Sequence, residues 1–373
     1  MIRTYTMRLK PTKRQQVKLN DLLEHLCVLY NSALEHRKRS WEQLGKPVMY
    51  YDQQRALTDF RGKSLEVFSF PLTIQRDPLR RIDRAFKAFF RRVKAGEKPG
   101  YPRFKTKTSY NSFNVAERFS VNGSCLKIAR LGNFRFKTKC KVKGSFKTIN
   151  IARRGNRWIA NLVCDIGEAP AKRPVSNAVG IDLGVTTLAT LSDGTEIANP
   201  RWIKREEGRL AEAQRVLARK TKGSKNQAKA KERVRRVYQR IVGSRNAYTT
   251  TVAKKLIGQY DLIAHEKLNI KAMAQYGYLG KSIMDAAWGK LIWRLNCEAE
   301  KAGKWVIPVN PRNTTKACSG CGELVPKTLS QRTHCCPSCG LVLGRDHNAA
   351  VNILRLGESL VERQKICLEG IAN

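Results

Sequence analysis

Four cysteines in two short pairs constrain this chain more than any other feature. Cys318-Ser319-Gly320-Cys321 and Cys336-Pro337-Ser338-Cys339 are separated by fourteen residues, and each pair is followed by a glycine, Gly322 and Gly340. A C-x-x-C turn presents two thiolates to one side, and two such turns brought together satisfy a tetrahedral metal with no open position. Residues 315–341 are therefore expected to form a zinc ribbon, with Cys318, Cys321, Cys336 and Cys339 holding one structural Zn²⁺. His334 and Cys335 adjoin the second turn and could substitute, but the repeated C-x-x-C-G favours Cys336. No thioredoxin-like strand and helix surround either pair, so a redox role is not expected. Cys27, Cys125, Cys140, Cys164, Cys297 and Cys367 are scattered and read as small buried or incidental residues.

Three carboxylates need a different explanation. Asp182 sits in the apolar run Gly180-Ile181-Asp182-Leu183, before Thr187-Leu188-Ala189-Thr190-Leu191 and the Asp193-Gly194 hairpin signal. A lone Asp in such a strand is usually paired or capped, because a buried carboxylate is costly without a partner or a metal. Glu266 ends a second apolar strand, Leu262-Ile263-Ala264-His265-Glu266. Asp346 opens the run Arg345-Asp346-His347-Asn348-Ala349-Ala350-Val351-Asn352-Ile353-Leu354, which reads as the start of a helix, where Asp can serve simply as an N-cap. Strand, strand end and helix start can together hold two Mg²⁺ ions for in-line hydrolysis of a phosphodiester.

The partner follows from charge. Among 373 residues, 72 Lys and Arg stand against 30 Asp and Glu, a formal +42 spread along the chain. Such a chain repels itself unless a polyanion neutralises it, so nucleic acid leads and a membrane surface is remote. There is no long apolar run and no signal-peptide core after Met1, so a cytoplasmic, nucleoid-associated protein is expected.

Taken in order, residues 2–10 fit a strand. Thr12-Lys13-Arg14-Gln15 has the form of a capping box opening a long helix to about Gly45. A second helix is expected from Asp77 to Lys94, with Arg80, Arg81, Arg84, Arg91 and Arg92 on its polar face and Gly96 as its stop. From Gly100 the texture changes to short basic strands, including a hairpin turning at Gly155-Asn156, and this module is expected to be closed by the first strand. Tyr101, Phe104, Tyr110, Phe113 and Trp158, interleaved with basic residues, would suit base stacking, although strand aromatics more often serve the core. A linker at 168–174 precedes the Asp182 strand. A basic helical hairpin at about 202–257 follows it, and Ser282 is expected to cap one helix running to Gly303. Gly277-Tyr278-Leu279-Gly280-Lys281-Ser282 ends like a phosphate-cradling loop, but Gln275 stands where that motif needs glycine.

Residues 180–184, 266–273, 310–340 and 345–354, in this order and with the ribbon inserted before the last acidic motif, resemble the RuvC-like branch of the RNase H fold. The match is closest to the TnpB family of transposon-encoded proteins, relatives of type V CRISPR effectors. The resemblance covers most of the chain. It implies an α/β and α+β multidomain protein: a β-barrel wedge (1–11 and 97–175), a helical recognition insert (12–96), a RuvC-like nuclease domain (176–314 and 342–373) and the ribbon (315–341). It further implies an RNA-guided DNA endonuclease of an insertion sequence, acting as a monomeric ribonucleoprotein. Its partners would be a guide RNA from the transposon end and double-stranded target DNA with a short adjacent motif, the sequence being read by pairing. Asp182, Glu266 and Asp346 match the family's catalytic positions, and the four cysteines its zinc ligands. Lys267, Gly344 and Asn313 depart from the family pattern, and none of them is a metal ligand.

Two alternatives remain at this level. One is a repressor on the same scaffold that binds DNA under RNA guidance without cutting, against which the intact carboxylates argue. The other is a transposase or transposition-accessory protein, weakened by the lack of a paired His-hydrophobic-His motif.

Overall fold

The structure is a computed structural model that describes residues 1–63, 70–138, 141–155, 157–276, 279–328 and 330–371. Cys140, Asn156, Gly277, Tyr278 and the side chain of Cys367 lie outside the described residues. The chain divides into two compact units, Met1–Glu168 and Ala169–Asn373.

In the first unit, β1 (Ile2–Leu9) leads into α1 (Lys13–Leu44). The capping box forms as expected: Gln15 N donates to Thr12 Oγ1 and Thr12 N to Gln15 Oε1, and Gly45 ends the helix at φ +60°. After α2 (Tyr50–Lys63) comes α3 (Leu72–Lys94), which starts five residues earlier than the sequence suggested. Pro78 imitates a helix start, but it lies inside the helix, because the preceding turn is drawn into the core by buried Ile74 and Gln75. Asp77 is 2 % exposed and fixes α3 to the adjoining sheet. It accepts from Asn114 N and Nδ2 and pairs with Arg81 at 2.8 Å, so Arg81 is not part of the free cationic face.

The strands β2 (Ser112–Val115), β3 (Phe119–Asn122), β4 (Cys125–Ile128), β5 (Gly132–Lys137), β6 (Ser145–Arg154) and β7 (Arg157–Asp165) join β1 in the order β2-β6-β7-β1-β5-β4-β3. β1 does enter this module, paired along its whole length with β7. Closure into a barrel is not formed by backbone pairing among the described residues; the sheet is open, with β2 and β3 as its edges. β1 reaches β5 only through Arg8 and Leu9, so the β3-β4-β5 meander hangs from one strand end instead of continuing the ladder. Tyr110, Phe113 and Trp158 are core residues, whereas Tyr101 and Phe104 are exposed.

In the second unit, β8 (Ala178–Leu183), β9 (Thr187–Leu191), β10 (Glu196–Ala198), β11 (Leu262–Glu266) and β12 (Trp305–Val309) form a mixed sheet in the order β10-β9-β8-β11-β12. β8, β11 and β12 are parallel, β9 returns antiparallel to β8, and β10 pairs antiparallel with β9. The hairpin of α4 (Trp202–Ala218) and α5 (Lys225–Gln259) follows β10, with Ser224 capping the second helix. Beyond β11 lie α6 (Ile270–Tyr276), α7 (Gly280–Ala286) and α8 (Trp288–Ala302). The single helix expected from Ser282 is thus two helices. Ala287 breaks it at φ +58°, and Ser282 sits inside α7 instead of capping it. The break is held from afar: Asp285 accepts from Ile203 N and from Arg245, and Trp288 Nε1 donates to Gly184 O. The ribbon hairpin, β13 (Thr333–Cys335) and β14 (Val342–Gly344), runs straight into α9 (Arg345–Ile371). Among the described residues no helix is long and apolar enough to cross a membrane.

Candidate active site

Sheet register places the first two carboxylates. β8 and β11 run parallel with Ala264 opposite Gly180 and His265 opposite Ile181. The next position along brings Asp182 and Glu266 side by side at the carboxyl ends of neighbouring strands, about 4.8 Å apart in the pairing direction. The third arrives on α9, which lies across these strands at very close range. A Cβ on Gly180 would sit 2.0 Å from Ala350 O, and one on Gly357 would sit 2.4 Å from Ala264 Cβ. Two glycines therefore let the helix approach the sheet, and its first turn, carrying Asp346, is delivered beside Asp182.

The electrostatics reflect this convergence. The Asp182 carboxyl is pushed up to about 7, first by burial, then by the charges of Glu266 and Asp346, with the Arg345 guanidinium acting in the opposite sense. Glu266 is raised by burial, and a hydrogen bond from Thr314 Oγ1 to its Oε1 at 2.5 Å opposes that rise. Asp346 lies one residue inside the helix and is not its N-cap. Its Oδ1 takes Arg345 Nε at 3.0 Å, and its Oδ2 faces Arg332 Nη1 at 3.9 Å. Asp182 senses the other two carboxylates, yet the three do not form a closed ligand set. Among the described residues the group of ligand atoms lying within 4.8 Å of one another is the four cysteines alone.

Those four are Cys318, Cys321, Cys336 and Cys339, the set that the spacing selects; His334 and Cys335 are not among them. Burial alone would push the Cys318 thiol up, but backbone N–H groups of Cys321 and Gly320 help pull it down to about 5. Donors converging on Cys318 favour its thiolate, the form that binds a metal, whereas hydrogen bonds among the sulfurs push the Cys321 and Cys339 thiols up despite the backbone hydrogen bonds from Glu323 and Leu341.

The sequence reading missed the residues that lock these parts together. Asn348 and Asn352 stand one turn apart on α9, both buried. Asn352 donates to Thr314 O and Ala317 O, Asn348 donates to Ala317 O, and Ser319 N donates to Asn348 Oδ1. The loop that leads into the first cysteine turn is thereby fixed to the helix bearing Asp346, and the same loop presents Thr314 to Glu266. Two asparagines at helical spacing amid Ala, Val and Ile were the available signal, since a polar side chain on a buried face must find partners.

A relative from Streptomyces pristinaespiralis is 32 % identical over 368 residues, covering 95 % of this chain and 89 % of that protein. The chain belongs to the TnpB family. That relative is named "Putative RNA-guided DNA endonuclease", and one from Escherichia coli, 24 % identical over 96 % of this chain and 93 % of its own length, is named "Putative RNA-guided DNA endonuclease InsQ". The family profile described as "Probable transposase" matches residues 161–276, which include Asp182 and Glu266. The profile "Cas12f1-like, TNB domain" matches 288–353, which include the four cysteines and Asp346. A third, "Helix-turn-helix domain", matches 1–46, where this TnpB-family chain forms one strand and a single long helix. Its fold is similar to that of the mini RNA-guided endonuclease CRISPR-Cas phi3, with a TM-score of 0.50 at 9 % identity over 96 % of this chain and 92 % of that one.

Proposed function

We propose that this chain is the RNA-guided DNA endonuclease of an insertion sequence, with Asp182, Glu266 and Asp346 holding two Mg²⁺ ions for phosphodiester hydrolysis. Cys318, Cys321, Cys336 and Cys339 hold one structural Zn²⁺. The carrying observation is the placement of Asp182 and Glu266 at the carboxyl ends of neighbouring strands beside the first turn of α9, where burial first and then the charges of Glu266 and Asp346 raise Asp182 to about 7, a charge that divalent cations would relieve. Divalent ions at these carboxylates would supply Lewis-acid stabilisation of charge developing on the phosphodiester. The chain's own groups do the positioning: Thr314 orients Glu266, the Gly180 contact sets the α9 position, and Asn348 and Asn352 tie the ribbon to that helix. Arg345, at 3.0 Å, and Arg332, at 3.9 Å, orient the Asp346 carboxylate.

In this reading 1–11 and 97–175 act as the wedge and 12–96 as the recognition insert. The segments 176–314 and 342–373 form the nuclease domain, and 315–341 the ribbon. The partners are a guide RNA from the transposon end and duplex DNA beside a short motif, and the particle is a monomeric ribonucleoprotein of the prokaryotic cytoplasm and nucleoid. Formal charge of +42 supports polyanion partners of this size.

The test is to purify the chain with its co-expressed RNA, sequence that RNA, and incubate the complex with a target library in Mg²⁺. Cleavage at sites paired to the RNA is expected, with Asp182→Ala binding but not cutting. Cleavage retained by that variant refutes the metal assignment; binding without any cut indicates a repressor, and joined DNA ends indicate a transposase.

A further inference from the structure

The first unit carries an aromatic cluster whose outer members have no place in the core. On α3, Phe86 and Phe90 lie one turn apart with ring centroids 6.3 Å apart, and Phe89 meets Phe90 edge-on at 5.2 Å. Gly96, at φ +66°, turns the chain after the helix, and Tyr101 comes back onto it, edge-on to both Phe86 (5.6 Å) and Phe89 (5.5 Å). The inner side of the cluster is anchored: the buried Arg37 guanidinium lies 5.3 Å from the Phe86 ring and pairs with Asp83. The outer side is open, with Phe90 61 % and Tyr101 47 % exposed. A large apolar ring is thus left in water on the outer side of the cluster, and its exposure asks for an occupant.

Charge narrows the choice. Phe90 is flanked at helical spacing by Lys94 and by Lys87, which pairs with Asp83 at 2.9 Å, and Arg84, Arg91 and Arg92 lie on the same turns of the helix. A face of stacked aromatic edges ringed by cations suits nucleobases on a phosphate backbone and repels a cationic or apolar protein partner. Bases inside a duplex are already stacked and unavailable, whereas loops and ends of RNA offer splayed bases that stack on aromatic side chains.

We infer that Phe90 and Tyr101 form a stacking platform for unpaired bases of the bound RNA, with Lys94 holding the adjacent phosphate. This rests on the RNA-guided reading above. It differs from the arginine-face contact with a phosphate backbone in that affinity comes from base stacking, which is insensitive to salt.

The test uses the full chain carrying Asp182→Ala, purified with its co-expressed RNA and irradiated with ultraviolet light, the cross-linked peptides being identified by mass spectrometry. RNA adducts on the peptides holding Phe90 and Tyr101 are expected. Phe90→Ala and Tyr101→Ala, at exposed positions that leave the core intact, should each weaken RNA binding about tenfold without changing the slope of affinity against salt. Phe90→Tyr should bind as the parent does, and Lys94→Ala should reduce the salt slope by about one. Adducts elsewhere only, adducts to added target DNA instead of RNA, or alanine variants that bind normally would overturn the platform while leaving the RNA-guided reading standing. If no RNA accompanies the parent protein, both fall.

Discussion

Replacing Gly180 by alanine probes the contact on which the three-carboxylate arrangement depends. The added Cβ would lie 2.0 Å from Ala350 O, 2.6 Å from Leu354 N and 3.0 Å from Leu354 Cβ. Carbon and carbonyl oxygen tolerate no closer approach than about 3.3 Å, so β8 and α9 must separate by more than about 1 Å. Both obstructing atoms nearest the new methyl are backbone, so no rotamer change relieves the overlap. Overpacking of this kind costs about 1–3 kcal/mol of stability. The functional cost is larger, because Asp182 lies two residues beyond Gly180 on the strand and Asp346 one turn before Ala350 on the helix. A misplacement of about 1 Å between reacting groups costs about a hundredfold in rate. The assay pairs denaturant unfolding of the protein with single-turnover cleavage by the assembled ribonucleoprotein. Gly180→Ala should lose about 1–3 kcal/mol and about two orders of magnitude in cutting while target binding holds. A variant that cuts at the parental rate would refute the claim that helix-on-strand proximity sets the site.

Thr314→Val should slow cleavage about ten- to hundredfold, since a hydrogen bond to a charged acceptor contributes about 1.5–3 kcal/mol, and Thr314→Ser should restore it; if serine and valine behave alike, the hydroxyl is not what orients Glu266. Cys336→Ser should lower bound zinc, measured by atomic absorption, whereas Cys335→Ser should retain one equivalent per chain; the reverse result would move the ligand by one residue. In chelator, Asp182→Asn should be more stable than the parent at neutral pH. The folded carboxyl titrates near 7 against an ordinary 3.8, so the unfolded chain gives up its proton first and stability falls as pH rises across that interval. Thermal midpoints measured from acid to neutral pH should therefore diverge, and divalent ions should narrow the gap; parallel curves would show that neither burial nor the neighbouring carboxylates raise Asp182.

What could be read from the sequence was whatever announces itself within a few residues. The cysteine turns are defined by local spacing, the Thr12 box by a tetrapeptide, and Asp182 by being an acid in an apolar strand. Features that depend on a distant partner stayed hidden. Pro78 looks like a helix start until Asn114 is seen on Asp77, and Ala287 gives no sign of a break that Ile203, Arg245 and Gly184 impose from elsewhere in the chain. The open edge at β3 was likewise illegible, because alternation predicts strands and says nothing about which ladders join.

The same division explains why the acidic residues were easier to find than the residues that aim them. A metal-binding carboxylate must be acidic whatever surrounds it, so its chemistry survives in the one-letter code. Aiming it needs only that something small, or something with a hydroxyl or an amide, stand at one point in space. Gly180, Thr314, Asn348 and Asn352 are ordinary residues by composition. Their meaning lies in Ala350 O being 2.0 Å from a missing methyl and Glu266 Oε1 being 2.5 Å from a hydroxyl. Substitution at these four positions should therefore change cutting more than any local sequence signal would suggest, while the surplus cations, each one of many, should tolerate single replacements with only a small change in salt-dependent binding.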